Sequence, residues 1–470
     1  MIILLEYLSK LLELRNILLF MLPKIPLFVL PNILLFICHD QGQFLGCYNT
    51  PQTPNSLETP NLDKIAKEGI RFTNYFCTAP QCSPSRGSIQ TSLYPHQNGL
   101  MGLTDRGWSL PKENKTIPIY LKKYGYSTHL IGLQHETKDP NTLGYDTITE
   151  RFFSKRGVEI NFLYNCELVE KECSEFFKNH RQDENPFYLS VGIEEVHRPF
   201  KIWAEPVDPN SVTVPSFLPD NDIIRNELAE YYGAINKVDL TIGRIIEMLD
   251  QNRLTDNTLF IFTTDHGCPF PRAKCTLYDP GIETILIMHQ PDSDIFNNGR
   301  VIHSLLSNID LLPTLIEYVG GEIPSNIQGK SFLPILKGEK NQIRNEIYIE
   351  KTYHEIYDPI RGIRTTKFKY IKNFEPLETL YQMPTPVLMS PSGKFLKTFY
   401  NTPRSTEELY DLIADPQEQN NLVNDSNYKA VLLDLQQRLK SWQVKTEDPI
   451  LKGKIESPAQ IKDKFTKKGN

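Results

Sequence analysis

Apolar residues in this chain gather into short continuous runs rather than strict alternation. Asn32 to Cys38 (NILLFIC), Phe187 to Ile193 (FYLSVGI) and Thr258 to Thr264 (TLFIFTT) are runs of this kind. Their length and polar flanks predict strands buried on both faces. Ser127 to Gly132 (STHLIG) and Thr284 to His289 (TILIMH) predict two more. Between the runs the spacing turns helical. Thr59-Pro60 reads as N-cap and first helical residue of a helix reaching Lys67. Ile117 to Tyr124 predicts a short helix. Leu228, Tyr231, Tyr232, Ile235, Val238, Ile242 and Ile246 form one stripe of a helix over Ile224 to Leu249. Ser304 to Val319 predicts a helix stopped by Gly320-Gly321. Strands alternating with helices in this way predict an α/β domain with a largely parallel sheet.

Past residue 345 the pattern changes. Glu346 to Glu350 and Ile360 to Ile371 read as exposed, alternating strands, and 427–444 as an amphipathic helix. The chain therefore divides into a domain over 31–345 and a smaller α+β unit with its tail over 346–470. Residues 1–30 are apolar but interrupted by Pro23, Lys24 and Pro26, well short of the ~20 apolar residues of a membrane span. Glu6 and Glu13 sit early and no small-residue cleavage site follows, so this is not a clean signal peptide. The segment is an unexplained extension, and no transmembrane segment is predicted.

Composition narrows the function. With 51 Lys and Arg against 57 Asp and Glu the net charge is −6, unsuited to sequence-independent binding of nucleic acid. Eight cysteines in 470 residues are too few for a disulfide scaffold. The pairs Cys77/Cys82 and Cys268/Cys275 are not spaced as a zinc knuckle.

Ligands of parallel α/β sheets bind beyond the carboxyl ends of the strands. The first run is followed by His39-Asp40, STHLIG by His135, FYLSVGI by Glu194-Glu195-Val196-His197-Arg198, and TLFIFTT by Asp265-His266-Gly267. One Asp or His after a strand is commonly a cap or a satisfied surface group. Acid and imidazole recurring at four strand ends suit a divalent cation and an anionic substrate. One further element, Cys82-Ser83-Pro84-Ser85-Arg86, lies between Pro80 and a predicted helix.

This Cys-x-Pro-x-Arg element, with PNILLFICHD before it and FTTDHG after it, resembles the formylglycine-dependent sulfatase family, from about Pro31 to Leu451. Further echoes (His96-Gln97-Asn98-Gly99, Val196-His197-Arg198, Asp265 to Pro271, Leu277 to Gly281 and Glu408 to Asp411) are most similar to its heparan N-sulfatase (sulfamidase) branch. The resemblance implies an alkaline-phosphatase-like α/β sandwich, with a large mixed sheet and a smaller C-terminal α+β subdomain. It implies a sulfuric ester hydrolase acting on a sulfated small molecule or saccharide, by ester or N-sulfate cleavage. Cys82 would be oxidised by a formylglycine-generating enzyme to Cα-formylglycine. One hydroxyl of the aldehyde hydrate attacks sulfur, and loss of a proton from the other re-forms the aldehyde and releases sulfate.

By the same resemblance His39, Asp40, Asp265 and His266, with the modified Cys82, hold the metal. Arg86 supports the hydrate or a ligand carboxylate. His135, His197 and Lys274 contact sulfate, with His197 serving the leaving group and His135 the hydrate. The family's ion is usually calcium, which prefers oxygen; His39 and His266 add nitrogen, which also suits manganese or zinc. A second departure is Gly132-Leu133-Gln134-His135, where Leu133 replaces an expected sulfate-binding lysine and Lys138 is the nearest substitute. His354, Glu355 and Arg361 read first as structural, with a sugar pocket as the alternative. An exported, periplasmic or lysosomal setting is implied, and a homodimer is left open. The rival readings are a phosphodiesterase or phosphonate monoester hydrolase of the same superfold, and a catalytically impaired anion-binding member.

Overall fold

A seven-residue apolar run has no polar side to offer solvent, so β1 (Asn32–Cys38) sits where both of its faces are covered. In the computed structural model, which describes residues 30–49, 55–149, 165–180 and 185–460, every residue of β1 is buried. The predicted extension over 1–30 lies outside the described residues apart from Leu30. Among the described residues no helix is long and apolar enough to cross a membrane.

The strands that follow are β2 (Ile70–Phe72), β3 (Tyr75–Phe76), β4 (Ser127–Gly132), β5 (Thr147–Thr149), β6 (Phe187–Ile193), β7 (Thr258–Thr264), β8 (Leu286–His289), β9 (Arg300–Ile302) and β10 (Leu306–Ser307). Eight of them form one sheet in the order β5-β4-β6-β1-β7-β8-β2-β9. The pairings β5-β4, β4-β6, β6-β1 and β1-β7 are parallel, while β8 runs antiparallel to both β7 and β2. On one face Leu34, Phe36, Val191 and Phe262 share an apolar cluster with the helices Pro60–Glu68, Cys166–Asn179 and Asp222–Gln251. The alternate residues Ile33, Leu35 and Ile37 are buried too, so the sheet is covered on both sides. This is the sandwich expected from the sequence.

A second sheet, β11 (Glu346–Tyr353), β12 (Tyr357–Thr365), β13 (Phe368–Asn373) and β14 (Glu407–Asp411), is antiparallel in that order. Ile347, Ile349, Ile360 and Ile371 pack with Phe76, Cys77 and Leu277. Ile363, Tyr370 and Leu409 pack with Leu435, Leu439 and Trp442 of the helix Lys429–Lys445. The expectation of exposed strands here is therefore corrected: the sheet is buried on both faces, and Ile360 to Ile371 is two strands rather than one. Its polar alternates are buried in ion pairs instead of facing water. Lys351 Nζ lies 2.7 Å from Asp358, Arg364 is bidentate on Asp279 at 2.9 and 2.8 Å, and Lys369 contacts both Asp279 (2.6 Å) and Glu418 (2.7 Å).

Other elements depart more mildly. Ser304 to Val319 is not one helix but β10, a 3-10 turn at Asn308–Asp310 and the helix Leu311–Tyr318. Asp310 accepts from the Ser307 backbone N–H (2.9 Å) and closes a capping box that starts the helix later than apolar spacing implied. Ile117 to Tyr124 is helix to Leu121 and then 3-10. Thr59 is the N-cap residue, but its hydroxyl bonds Asp63 Oδ1 (2.9 Å) and the Gly46 N–H (2.9 Å), not the helix end.

Arg361 is fully buried in β12. It donates to Asp448 Oδ2 and Oδ1 at 2.7 and 3.0 Å and to the carbonyls of Lys351 (2.8 Å) and Ile360 (3.0 Å), and lies 3.8 Å from Glu350. Arg361→Ala leaves two buried carboxylates without their counter-charge. It is expected to lower the unfolding free energy by about 3–5 kcal/mol in chemical denaturation; a loss below about 1 kcal/mol would contradict the assignment of this pair as structural.

Candidate active site

The order β4-β6-β1-β7 sets four carboxyl ends side by side, with Gly132 opposite Gly192, Ile193 opposite Cys38, and Cys38 opposite Thr264. The next residues of each strand therefore meet at one edge of the sheet. Gly132 (φ +84) and Gly192 allow the crossing: a Cβ on Gly132 would lie 2.2 Å from the Gly192 carbonyl oxygen, and one on Gly192 would lie 1.8 Å from that of Leu133. Non-glycine residues here also adopt left-handed backbone: Asp40 (φ 50), Val196 (φ 74) and Cys275 (φ 69). A β-branched residue such as Val196 is an outlier there, and strain of about 1–3 kcal/mol persists only where the surroundings impose it. Val196 precedes His197, and Cys275 follows Lys274.

Cys82 opens the helix Cys82–Thr91 and points into the same edge. One ligand atom each from His39, Asp40, Cys82, Asp265 and His266 lies within 4.8 Å of all the others, and all five residues are buried. Cys82 Sγ is 3.4 Å from His266 Nε2 and 3.7 Å from Asp40 Oδ1. Asp265 organises the group. Its Oδ1 accepts from the backbone N–H groups of Asp40 and His266, each at 2.9 Å. Its Oδ2 accepts from His39 Nδ1 (2.7 Å) and Arg86 Nε (3.0 Å). Arg86, one turn beyond Cys82, thus holds the carboxylate. Tyr231 fixes the loop after β1 by donating its hydroxyl to the carbonyls of Asp40 (3.1 Å) and Gln41 (2.5 Å).

The donor set suits a cation. His266 Nδ1 is 2.9 Å from the Gly267 carbonyl, which can only accept, so Nδ1 carries the proton. The lone pair of Nε2 then faces Asp40 Oδ1 at 2.9 Å. Two acceptors hold that separation only with a proton or a cation between them. Burial opposes ionisation of Asp40, but Lys274, His39 and His266 outweigh it and hold its carboxyl well below the usual range. Burial likewise opposes Asp265, and His266, His39 and Arg86 keep it ionised. Burial pushes the Cys82 thiol well up, with Lys274 opposing, so the unmodified side chain is a poor nucleophile.

The residues expected to contact sulfate surround this centre. Lys274 Nζ bonds Asp40 Oδ2; burial works against its charge, and Asp40 raises it above the usual lysine value. His197 stacks on His39 with ring centroids 4.8 Å apart, and its Nε2 lies 3.9 Å from Asp40 Oδ2. His135 meets the His39 ring edge-on at 6.0 Å. Burial lowers both His135 and His197 to about 3, so each ring is neutral. All nine residues singled out in the sequence come together: His39, Asp40, Cys82, His135, His197 and Lys274 line a cavity of about 480 Å³, with Asp265, His266 and Arg86 packed against them.

The cavity also has walls that strand-end reasoning does not reach. Leu103, Arg106, Leu133, Lys138 and Glu194 line it, as do Pro384, Pro386 and Val387 from the segment between β13 and β14. Of the three residues read first as structural with a sugar pocket as the alternative, Arg361 is held by Asp448, whereas His354 and Glu355 line the cavity, Glu355 also accepting from Thr385. The sequence signal for them was the His354-Glu355 pair, one of the echoes of the sulfamidase branch.

Comparison with known proteins agrees with this geometry. Residues 31–321 match the Sulfatase family model, and residues 271–384 match the model described as N-sulphoglucosamine sulphohydrolase, C-terminal. The chain is 30% identical over 440 residues to an ulvan-active sulfatase of Formosa agariphila, covering 90% of this chain and 81% of that one. It is 29% identical over 473 residues to the N-sulphoglucosamine sulphohydrolase of Homo sapiens, covering 88% and 90%. Among solved structures, an enzyme in complex with its substrate D-glucosamine-2-N,6-O-disulfate superposes with a TM-score of 0.67 at 22% identity, over 89% of this chain and 98% of that one, and shares the fold. With its family model matched over most of its length and its strand ends converging on Cys82, the chain belongs to the sulfatase family of sulfuric ester hydrolases.

Proposed function

We propose that the chain hydrolyses a sulfate ester or sulfamate on a sugar, through a Cα-formylglycine made from Cys82 and a divalent cation held by His39, Asp40, Asp265 and His266. The observation that carries this reading is the meeting of Cys82 with two carboxylates and two imidazoles, all within 4.8 Å, at the floor of an open cavity. The sugar is supported by relatives named for ulvan and for N-sulphoglucosamine. Modification requires a separate formylglycine-generating enzyme as partner. Residues 31–345 carry the chemistry, and 346–470 close one side of the cavity.

Once formed, the aldehyde hydrate supplies an oxygen nucleophile and a route to release sulfate. A bound dication supplies charge for the sulfuryl oxygens, and calcium is the ion favoured, with manganese or zinc suited by His39 and His266. The chain's own groups do the rest. Arg86 holds Asp265 in place for ligation. Lys274, already on Asp40, is the ammonium that offsets substrate charge. His197 Nδ1 donates to the Arg198 carbonyl (2.8 Å), so in the neutral ring Nε2 is the bare nitrogen; it takes up a proton once the anionic substrate is bound and passes it to the leaving oxygen or nitrogen. His135, whose Nδ1 has no partner among the described residues, is left to take the proton of the second hydroxyl. Leu133 lowers the positive charge of the pocket where a lysine is usual, so more of the anion's binding falls on Lys274 and the cation.

Four outcomes test this. Cys82→Ala is expected to reduce sulfate hydrolysis at least about 10³-fold while circular dichroism stays native, and near-normal rates would refute the assignment. Mass spectrometry of the peptide spanning Cys82, from the native host, should show an aldehyde in place of the thiol. Removal of metal by a chelator should lower both activity and melting temperature. Added calcium should restore the melting temperature in the wild type and much less in His39→Ala. Rates on an aryl sulfate, glucosamine N-sulfate and a phosphodiester, measured side by side, should favour the sulfates; a phosphodiester preference would support the rival superfold activity.

A further inference from the structure

His354 sits in the turn between β11 and β12, beyond the reach of the strand-end chemistry, yet it lines the cavity beside Lys274. It is 7% exposed. Its backbone N–H is 3.3 Å from the Ile356 carbonyl, but neither ring nitrogen has a hydrogen-bond partner among the described residues, and Nδ1 is fully buried. Buried polar groups in folded proteins are almost always paired, and an orphan at a cavity wall marks a group kept for something that enters. Arg361, seven residues on, shows what a structural polar group in this sheet looks like: its hydrogen bonds run to Asp448 and to two carbonyls.

The position of the ring is tied to the reacting centre. Gln81, which immediately precedes Cys82, donates its side-chain amide to the Tyr353 carbonyl at 2.7 Å. The Tyr353 N–H in turn donates to the Met101 carbonyl at 3.1 Å. The turn that bears His354 is thus fastened directly to the start of the Cys82 helix. Next to it, Glu355 accepts from the Thr385 N–H (3.2 and 3.1 Å) and hydroxyl (2.7 Å). This latch sets Pro384, Pro386 and Val387 along the cavity as an apolar wall. One polar ring close to the reacting group, together with an apolar wall, is what a sugar ring needs: hydroxyls on its rim and C–H groups on its face.

We propose that His354 is the residue that orients the sugar, hydrogen-bonding the polar substituent next to the scissile sulfate or sulfamate while the ring lies against Pro384, Pro386 and Val387. The inference rests on the reading of this cavity as a sugar sulfatase site. Burial, reinforced by the charges of Lys274 and Lys351, holds His354 well below the usual histidine range, so the ring is neutral and offers one donor and one acceptor. A hydroxyl, itself donor and acceptor, matches that pair.

The test compares two substrates on the formylglycine-bearing enzyme with metal bound: 4-nitrophenyl sulfate, which has no hydroxyl beside the sulfate, and glucosamine N-sulfate. In His354→Ala the ratio of kcat/KM for the saccharide over that for the aryl sulfate should fall at least about tenfold, chiefly through KM. His354→Gln, which returns an amide near the Nε2 position, should recover part of it. Thermal melts identify any variant that has lost its fold, and His354→Gln then carries the comparison. An unchanged ratio overturns the proposal, as does a wild type that turns over the aryl sulfate but not the saccharide. Failure on the aryl sulfate by the modified wild type instead overturns the sulfatase reading itself.

Discussion

The carboxylate of Asp265 is the joint on which the site depends. Its two oxygens accept from the backbone beyond β1, from the backbone beyond β7, from the His39 ring and from the Arg86 guanidinium of the Cys82 helix. Three separate pieces of chain are thereby fixed relative to one buried charge. That charge is tolerable because three donors and a guanidinium surround it, and a carboxylate held this way stays ionised despite burial. The clustering of His39, Asp40, Asp265 and His266, the seat of Cys82 and the positions of the flanking histidines all follow from that arrangement.

The same economy governs the second sheet. Its alternating polar residues are not a wet face but one half of a set of buried ion pairs, completed by Asp279 and Glu418 from elsewhere in the chain. Burial and the neighbouring Asp279 raise Glu283 to about 8, while Arg364 and Lys369 hold Asp279 itself low against its own burial. Such pairs add little net stability compared with apolar packing, but they are specific about partner and register. They hold the sheet at one position on the larger domain. The β11–β12 turn and the segment after β13 are thereby carried to the mouth of the cavity.

The cavity consequently has two kinds of wall. The floor is built from strand ends and the Cys82 helix, where position is set by the large sheet to within a hydrogen bond. The rim comes from loops of the smaller sheet and from residues such as Leu103, Arg106 and Lys138. Floor residues suit the chemistry common to sulfate esters and sulfamates. Rim residues are not fixed by the strand ends, and Leu133, apolar where a lysine was expected, lies at the border between the two.

The amino-acid sequence by itself determined the strands of the large sheet, several to the residue, because a run that is apolar on both faces has one stable place, inside a covered sheet. It also determined the floor of the site, since parallel strands deliver whatever follows them to a common edge, and Cys82 to Arg86 adds its own motif. The sequence misjudged the second sheet and the segment Ser304 to Val319. Alternation cannot distinguish water from a buried counter-charge, and helical spacing cannot see a capping aspartate that delays the helix. Only the tertiary structure decided that His354 and Glu355 face the cavity while Arg361 does not. Which way a polar side chain on a buried sheet turns depends on partners up to 87 residues away, such as Asp448, and no local pattern encodes them.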